Sequence, residues 1–439
     1  MRIRSFLLCV VCGGALLSCT TTRDTSHFDV DAAIDRCHSQ VERTLRQLSA
    51  MGDTAARMMP RSVNMAAGDT AWTCHPVCPE EWCSGFWPGI LWLDYSLRPT
   101  PGVRRAAISS TLAVARLLDK PVFDHDIGFL LLCSAGTGWR TLQKELDGGG
   151  LPRRQRLEDE MLKERFRQFC WRAADSLSTL FRPRVGTFLS WPRNVDLFGG
   201  HNTIIDNMVN LELLCQAANS GGRREWLEMA RSHTHTTMKH QFRPDSTVFH
   251  VAVYDTLDGH FIRGVTHQGL ADSSVWSRGQ AWAIYGFTLM ADATSSDAFL
   301  RQACKAAEAM IARLPEDAVP YWDFSDPRIA TSPDCPAAPS DSVAPRDASA
   351  AAITAKALID LSALVTDRQK AGLYMDTARR ILVSLAGDNY QAWRHNSAFL
   401  LHSTGNLPAG YEIDVPIVYA DYYYLAALAA YKQAAESTK

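Results

Sequence analysis

Twelve stretches of this chain repeat apolar residues at helical spacing, and no linker divides the set into halves. The spacing predicts helices over about 29–49, 86–96, 101–117, 127–134, 157–180, 206–219, 223–240, 276–292, 297–313, 347–364, 368–387 and 420–436. Ile34, Val41 and Leu45 show the pattern, as do Leu358, Leu361 and Leu364. Strand-like alternation occurs only in short pieces such as Thr247 to Tyr254, read as a small hairpin within a loop. A helix with one apolar stripe must bury it against a neighbour. Twelve consecutive helices meet that requirement as six hairpins closed into a toroid, an all-α (α/α)6 barrel over residues 28–439 as one domain. Such a barrel leaves the loops at one end free to form a cleft.

Hydrophobic residues make up 46% of the 439 and charged residues 21%, with a net charge of -2 and no basic block. Nucleic-acid binding needs clustered cations and is excluded on that ground. At the start, Arg2 and Arg4 precede an apolar run from Phe6 to Leu17 that is too short to cross a bilayer comfortably. It ends in Leu16-Leu17-Ser18-Cys19, which resembles a bacterial lipobox. Residues 1–18 then read as a lipoprotein signal peptide, Cys19 as the lipidated residue and 19–27 as a tether. An ordinary secretory signal is the alternative, although its cleavage does not need the cysteine. The expected place is the bacterial cell envelope, facing the periplasm or the cell surface, with the lipid as the one membrane contact.

Twelve cysteines include Cys9, Cys12 and Cys19 of this leader, and the remaining odd set cannot all pair. Cys74, Cys78 and Cys83 lie close together at spacings unlike those of common zinc sites. A local disulfide and packed free thiols both fit, and no metal is assigned. The longest connection, Asp317 to Arg346, is rich in proline and has no helical period. Its start, Tyr321-Trp322-Asp323-Phe324, reads as anchored. Thr331 to Pro345 reads as mobile, either a lid or a solvated excursion.

Four segments carry candidate chemistry. Ser274 to Phe287 packs Trp276, Arg278, Gln280, Trp282 and Tyr285 into fourteen residues. Aromatic faces stack on sugar rings and a guanidinium grips a carboxylate at two points, so the run suggests an acidic carbohydrate. The competing reading is a helix start with core aromatics, and Ala281, Ile284 and Phe287 do have the spacing of a buried face. Asp126 follows His125 and precedes an apolar helix, with Gly128 leaving room for close approach. Asp206 is a single acid at another apolar helix start. Either acid would serve as an N-cap, but in an apolar-walled cleft desolvation would make it a proton donor near neutral pH. Two such acids beside aromatics form the set a glycan hydrolase needs. In the fourth segment Trp87 and Trp92 read as core, while Trp82, outside the helix, is the better stacking platform. In the tail Tyr419 to Tyr424, Asp421 reads as the N-cap of a packed last helix.

Taken together, WCSGFWPG (82–89), HDIGF (125–129), IIDNMVNLELL (204–214), SVWSRGQAWAIYGF (274–287), PRDASAAAI (345–353) and DYYYLAALAAY (421–431) resemble the unsaturated glucuronyl hydrolases, glycoside hydrolase family 88. The resemblance implies an (α/α)6 barrel that works without metal or organic cofactor, expected as a monomer. It implies action on lyase-made oligosaccharides whose non-reducing end is a Δ4,5-unsaturated uronic acid. By the match, Asp206 is the general acid and then the base, and Asp126 supports it. His125 beside Asp126, and His250, Gln268, Trp276, Arg278 and Trp282, would surround the uronate with Trp82 stacked on it. Arg278 would contact the carboxylate or else fix its loop. Ala420 departs from the glycine common before the DYY motif. The unsaturated rhamnogalacturonyl hydrolases are the alternative within the class; a helical-toroid polysaccharide lyase and a non-catalytic glycan-binding lipoprotein lie outside it.

Overall fold

The computed structural model describes residues 28–329 and 343–437. The leader with Cys19, the tether and most of the stretch read as mobile lie outside the described residues. Helices dominate: α1 (Val30–Ser49), α2 (Phe86–Leu97), α3 (Pro101–Ala115), α4 (Ile127–Leu131), α5 (Thr137–Gly148), α6 (Arg153–Ser178), α7 (Val195–Phe198), α8 (Asn207–Asn219), α9 (Arg224–His240), α10 (Ser277–Thr294), α11 (Asp297–Ile311), α12 (Ala348–Leu364), α13 (Arg368–Leu385) and α14 (Val418–Ser437).

Two concentric rings result. The inner ring runs α2, α4–α5, α8, α10, α12, α14 and closes back on α2, while α3, α6, α9, α11, α13 and α1 pack outside. Burial follows this division. Every residue of α12 from Ala348 to Ala355 is buried, and so is every residue of α14 from Val418 to Leu428. The run of alanines in α12 lets neighbouring inner helices approach closely. Outer helices such as α1 and α11 bury one stripe and expose the other face. Capping sets several starts: Asp29, Thr100, Ser296, Asp347 and Asp367 each accept a backbone N–H from the first turn of the helix that follows.

Three expectations need correction. The inner helix read as 127–134 continues to Gly148 through a π-helical turn, Leu132–Gly136. Its glycines hid it: a Cβ on Gly138 would lie 2.7 Å from Trp92 Nε1, so only glycine fits there, at a cost in helix propensity. The piece near 247–254 is the middle of a three-stranded antiparallel sheet. Here β5 (His201–Ile204) and β7 (Phe261–Val265) flank β6 (Val251–Tyr254). Asp421 does not cap α14, which starts at Val418. Its buried carboxylate accepts N–H bonds from Phe399 (2.8 Å) and Leu400 (3.0 Å), tying a loop to the barrel.

Two hairpins complete the frame: β1 (Met58–Ser62) with β2 (Thr73–Pro76), and β3 (Phe181–Arg182) with β4 (Thr187–Phe188). The eight described cysteines are free, Cys74, Cys78 and Cys83 among them. Trp322 is buried and Asp323 bridges to Trp276, so the start of the long connection is anchored. Among the described residues no helix is long and apolar enough to cross a membrane.

Candidate active site

The N-terminal ends of the inner helices converge on a cleft that opens to solvent. Residues entering α2 (Glu80, Trp82), α4 (Asp124, Asp126), α8 (Ile204, Asp206) and α10 (Arg278) line it, joined by Trp191, Arg193, His267, Gln268, Asn406 and Tyr411. Helix N-termini carry partial positive charge, so this end of the barrel favours an anionic ligand.

Asp206 and Asp126 sit at the N-cap positions of α8 and α4, yet neither side chain makes a capping hydrogen bond. Both keep a narrow opening to the cleft, with side-chain exposures of 13% and 15%. Burial pushes Asp206 from the usual 3.8 up to about 7, against the pull of the Arg278 charge. Asp126 is likewise raised to about 7, first by burial and then by the charge of Asp206. Asp124 behind them is raised to about 6 by burial; it accepts from the Asp126 N–H (3.0 Å) and pairs with Arg193 (2.8 Å).

A neutral histidine backs each acid. The backbone N–H groups of His267 and Gln268 both donate to His250 Nδ1, at 3.1 Å each. That fixes the tautomer, so the proton sits on Nε2, 3.6 Å from Asp206 Oδ2. Burial holds His250 well below the usual imidazole range and therefore uncharged. His125 repeats the arrangement: Asn210 Nδ2 lies 2.8 Å from its Nδ1, and its Nε2 is 3.6 Å from Asp126 Oδ1. Burial lowers it to about 4. Gly128 permits this packing, because a Cβ there would collide with Asn210 Oδ1.

The remaining predicted residues divide by role. Trp82 is half-buried and faces the cleft, held edge-on by Phe86 and Phe129. Gln268 lines the cleft and orients His250. Trp276 and Trp282 are buried behind the surface. The Trp276 ring packs on His250 at 4.5 Å, and Trp282 packs between Phe129 and Tyr423. The Trp282 indole N–H has no partner at hydrogen-bond geometry but lies close enough to Asp206 to favour its carboxylate. Arg278 is 2% exposed and its terminal nitrogens are engaged: Nη1 with Asp347 (2.7 Å) and Thr404 O (2.6 Å), Nη2 with Gly405 O (2.5 Å). These bonds tie it to the loop that carries Thr404 and Gly405.

The sequence reading missed Trp191, Arg193, His267, Asn406 and Tyr411. Trp191 is central, with its ring edge-on to His125, His250 and His267. Its signal was available, since Trp191-Pro192-Arg193-Asn194 is an aromatic and a cation on an irregular turn. Among the described residues one group has metal-ligand spacing, Asp255, Asp258 and His260. It belongs to the β6–β7 turn rather than the cleft, and Asp255 already accepts the Leu257 and Asp258 N–H groups.

A curated relative, the unsaturated glucuronyl hydrolase of Formosa agariphila, is 37% identical over 401 residues, 90% of each chain. The chain belongs to the unsaturated glucuronyl hydrolase family. It is a glycoside hydrolase, and the (α/α)6 barrel is the fold of its solved relatives. A heparin-specific unsaturated glucuronyl hydrolase superposes with a TM-score of 0.77 at 33% identity, covering 93% of this chain and 98% of that one. A second solved relative, carrying dGlcA-Glc-Rha-Glc, superposes at 0.75 with 29% identity over 91% and 95%. No protein-family model matches the chain.

Proposed function

We propose that this hydrolase removes a Δ4,5-unsaturated uronic acid from the non-reducing end of oligosaccharides made by polysaccharide lyases, with Asp206 as the acid. The observation that carries the proposal is a carboxyl at the cleft wall, raised to about 7 by burial and facing the neutral His250 Nε2–H. A carboxyl so held is protonated below neutrality and within reach of a ligand.

The ring oxygen and C4=C5 bond of the unsaturated sugar form a vinyl ether. Asp206 gives its proton to C4, and the cation that forms at C5 is stabilised by the ring oxygen. Water adds at C5 and returns a proton to the Asp206 carboxylate, restoring the acid. The hemiketal collapses to a ketone as C5–O5 breaks, and the freed C1 hemiacetal releases the remaining sugar. Asp126, sharing the charge balance with Asp206, holds sugar hydroxyls and disfavours a second full negative charge in the site. Helix N-termini around the cleft favour the uronate carboxylate, and Trp82 and Trp191 offer ring faces and edges to the sugar. A panel of unsaturated disaccharides, sulfated and unsulfated, checks the assignment: each substrate should lose its C4=C5 absorbance and yield one saturated sugar. Retained absorbance across the panel would exclude it.

We also propose that lipidation at Cys19 anchors the protein in a bacterial envelope. Ser18-Cys19 after an apolar run supports this.

A further inference from the structure

Arg61 lies on β1, outside every segment singled out above, and its guanidinium joins two walls of the cleft. Nη1 donates to Glu81 Oε1 at 2.6 Å, in the turn before Trp82. Nε and Nη2 donate to the two carboxylate oxygens of Glu412 at 2.6 and 2.7 Å, a bidentate grip. The guanidinium also sits 5.7 Å from the Trp82 ring centroid. All three charged side chains are nearly buried.

Glu412 belongs to an arm between α13 and α14 in which Ser403 pairs with Val415 and Asn406 with Tyr411. Asn406 and Tyr411 at its tip line the cleft. The arm is strained: His402, Glu412 and Asp414 hold φ angles of 60°, 53° and 56°. A Cβ on Gly405 would lie 2.6 Å from Glu412 Oε2, so the latch requires glycine there. Arg278 grips the other strand of the arm through the Thr404 and Gly405 carbonyls.

We propose that Arg61 is a positioning residue that fixes Trp82 and the Asn406–Tyr411 tip relative to one another and so sets how tightly substrate is held. It rests on the substrate class proposed above. Trp82, Asn406 and Tyr411 line the cleft with Asp206 but exchange no proton, so their contacts act alike in ground and transition states; loosening them removes uniform binding, and KM rises while kcat holds. Lysine keeps the charge but loses the planar fork.

Steady-state kinetics of Arg61→Lys and Glu412→Gln on an unsaturated disaccharide, followed by absorbance loss, test this. Glu412→Gln keeps the side-chain volume and leaves the Arg61–Glu81 pair, so it reports even where Arg61→Lys fails to fold. Each variant is expected to raise KM about 10-fold, with kcat within about 2-fold of wild type. In Arg61→Lys the alkaline limb of the pH profile should not move, because the positive charge near Asp126 is retained. An unchanged KM in folded Glu412→Gln, or a fall in kcat at unchanged KM, overturns the proposal. A wild-type enzyme that leaves the disaccharide intact overturns the substrate reading, and the proposal with it.

Discussion

Asp206 and Asp126 stand where an aspartate ordinarily caps a helix, and both leave that bond unmade. The molecule thereby keeps two desolvated carboxyls at a cost to its own stability, the usual mark of a working site. Asp206→Asn should lower kcat by at least about 10²–10⁴-fold while binding persists, measured by absorbance loss and by titration with substrate. Since the acid must be protonated to react, kcat/KM should fall as pH rises through about 7. Stability follows from the same shift. Folding takes up protons between the unfolded value near 3.8 and the folded value near 7, so these groups make the fold less stable as pH rises across that window. Asp206→Asn should therefore raise the Tm at pH 8 more than at pH 5, by an amount on the order of a few kcal/mol in unfolding free energy. Both acids were legible in the sequence as lone charges at apolar helix starts, but choosing between cap and acid required seeing the unmade bond. Arg278 was legible as important, but choosing between a carboxylate contact and a loop anchor required its partners Asp347, Thr404 and Gly405, which lie far along the chain.

At the scale of elements, helical period exposed the barrel, and glycine concealed part of it. Helical period alone stops the α4–α5 helix short, because the glycines that inner-ring packing demands look like breakers. The strands β5 and β7 are too short to carry a pattern, and pairing across dozens of residues defines them. Gly128→Ala would test how tightly packing and chemistry are joined, since the new methyl must displace Asn210 and with it His125. It should cost about 1–3 kcal/mol in stability and reduce kcat, measured by thermal melting and turnover.

The whole molecule gathers its chemistry at one end. Residue 28 lies at the other: Phe28 packs on Tyr431 at 5.7 Å, and Asp31 pairs with Lys432 and Arg98 at the C-terminal ends of α14 and α2. The 20 residues of α14 separate these ends by about 30 Å. Under the lipidation proposed above, the tether would join the barrel at residue 28, at the end away from the cleft. Cys19→Ser should move activity from the membrane to the soluble fraction without changing kcat, as fractionation would record. The sequence carried the helix count that makes this barrel legible, but the closure of α14 on α2 depends on contacts no local pattern contains. The most direct measurement follows C4=C5 absorbance of an unsaturated disaccharide with wild type and Asp206→Asn side by side, and of the intact polysaccharide as control. The account predicts loss of absorbance with wild type alone, at a rate that declines above pH 7; a rise on the polymer, or equal loss with Asp206→Asn, would contradict it.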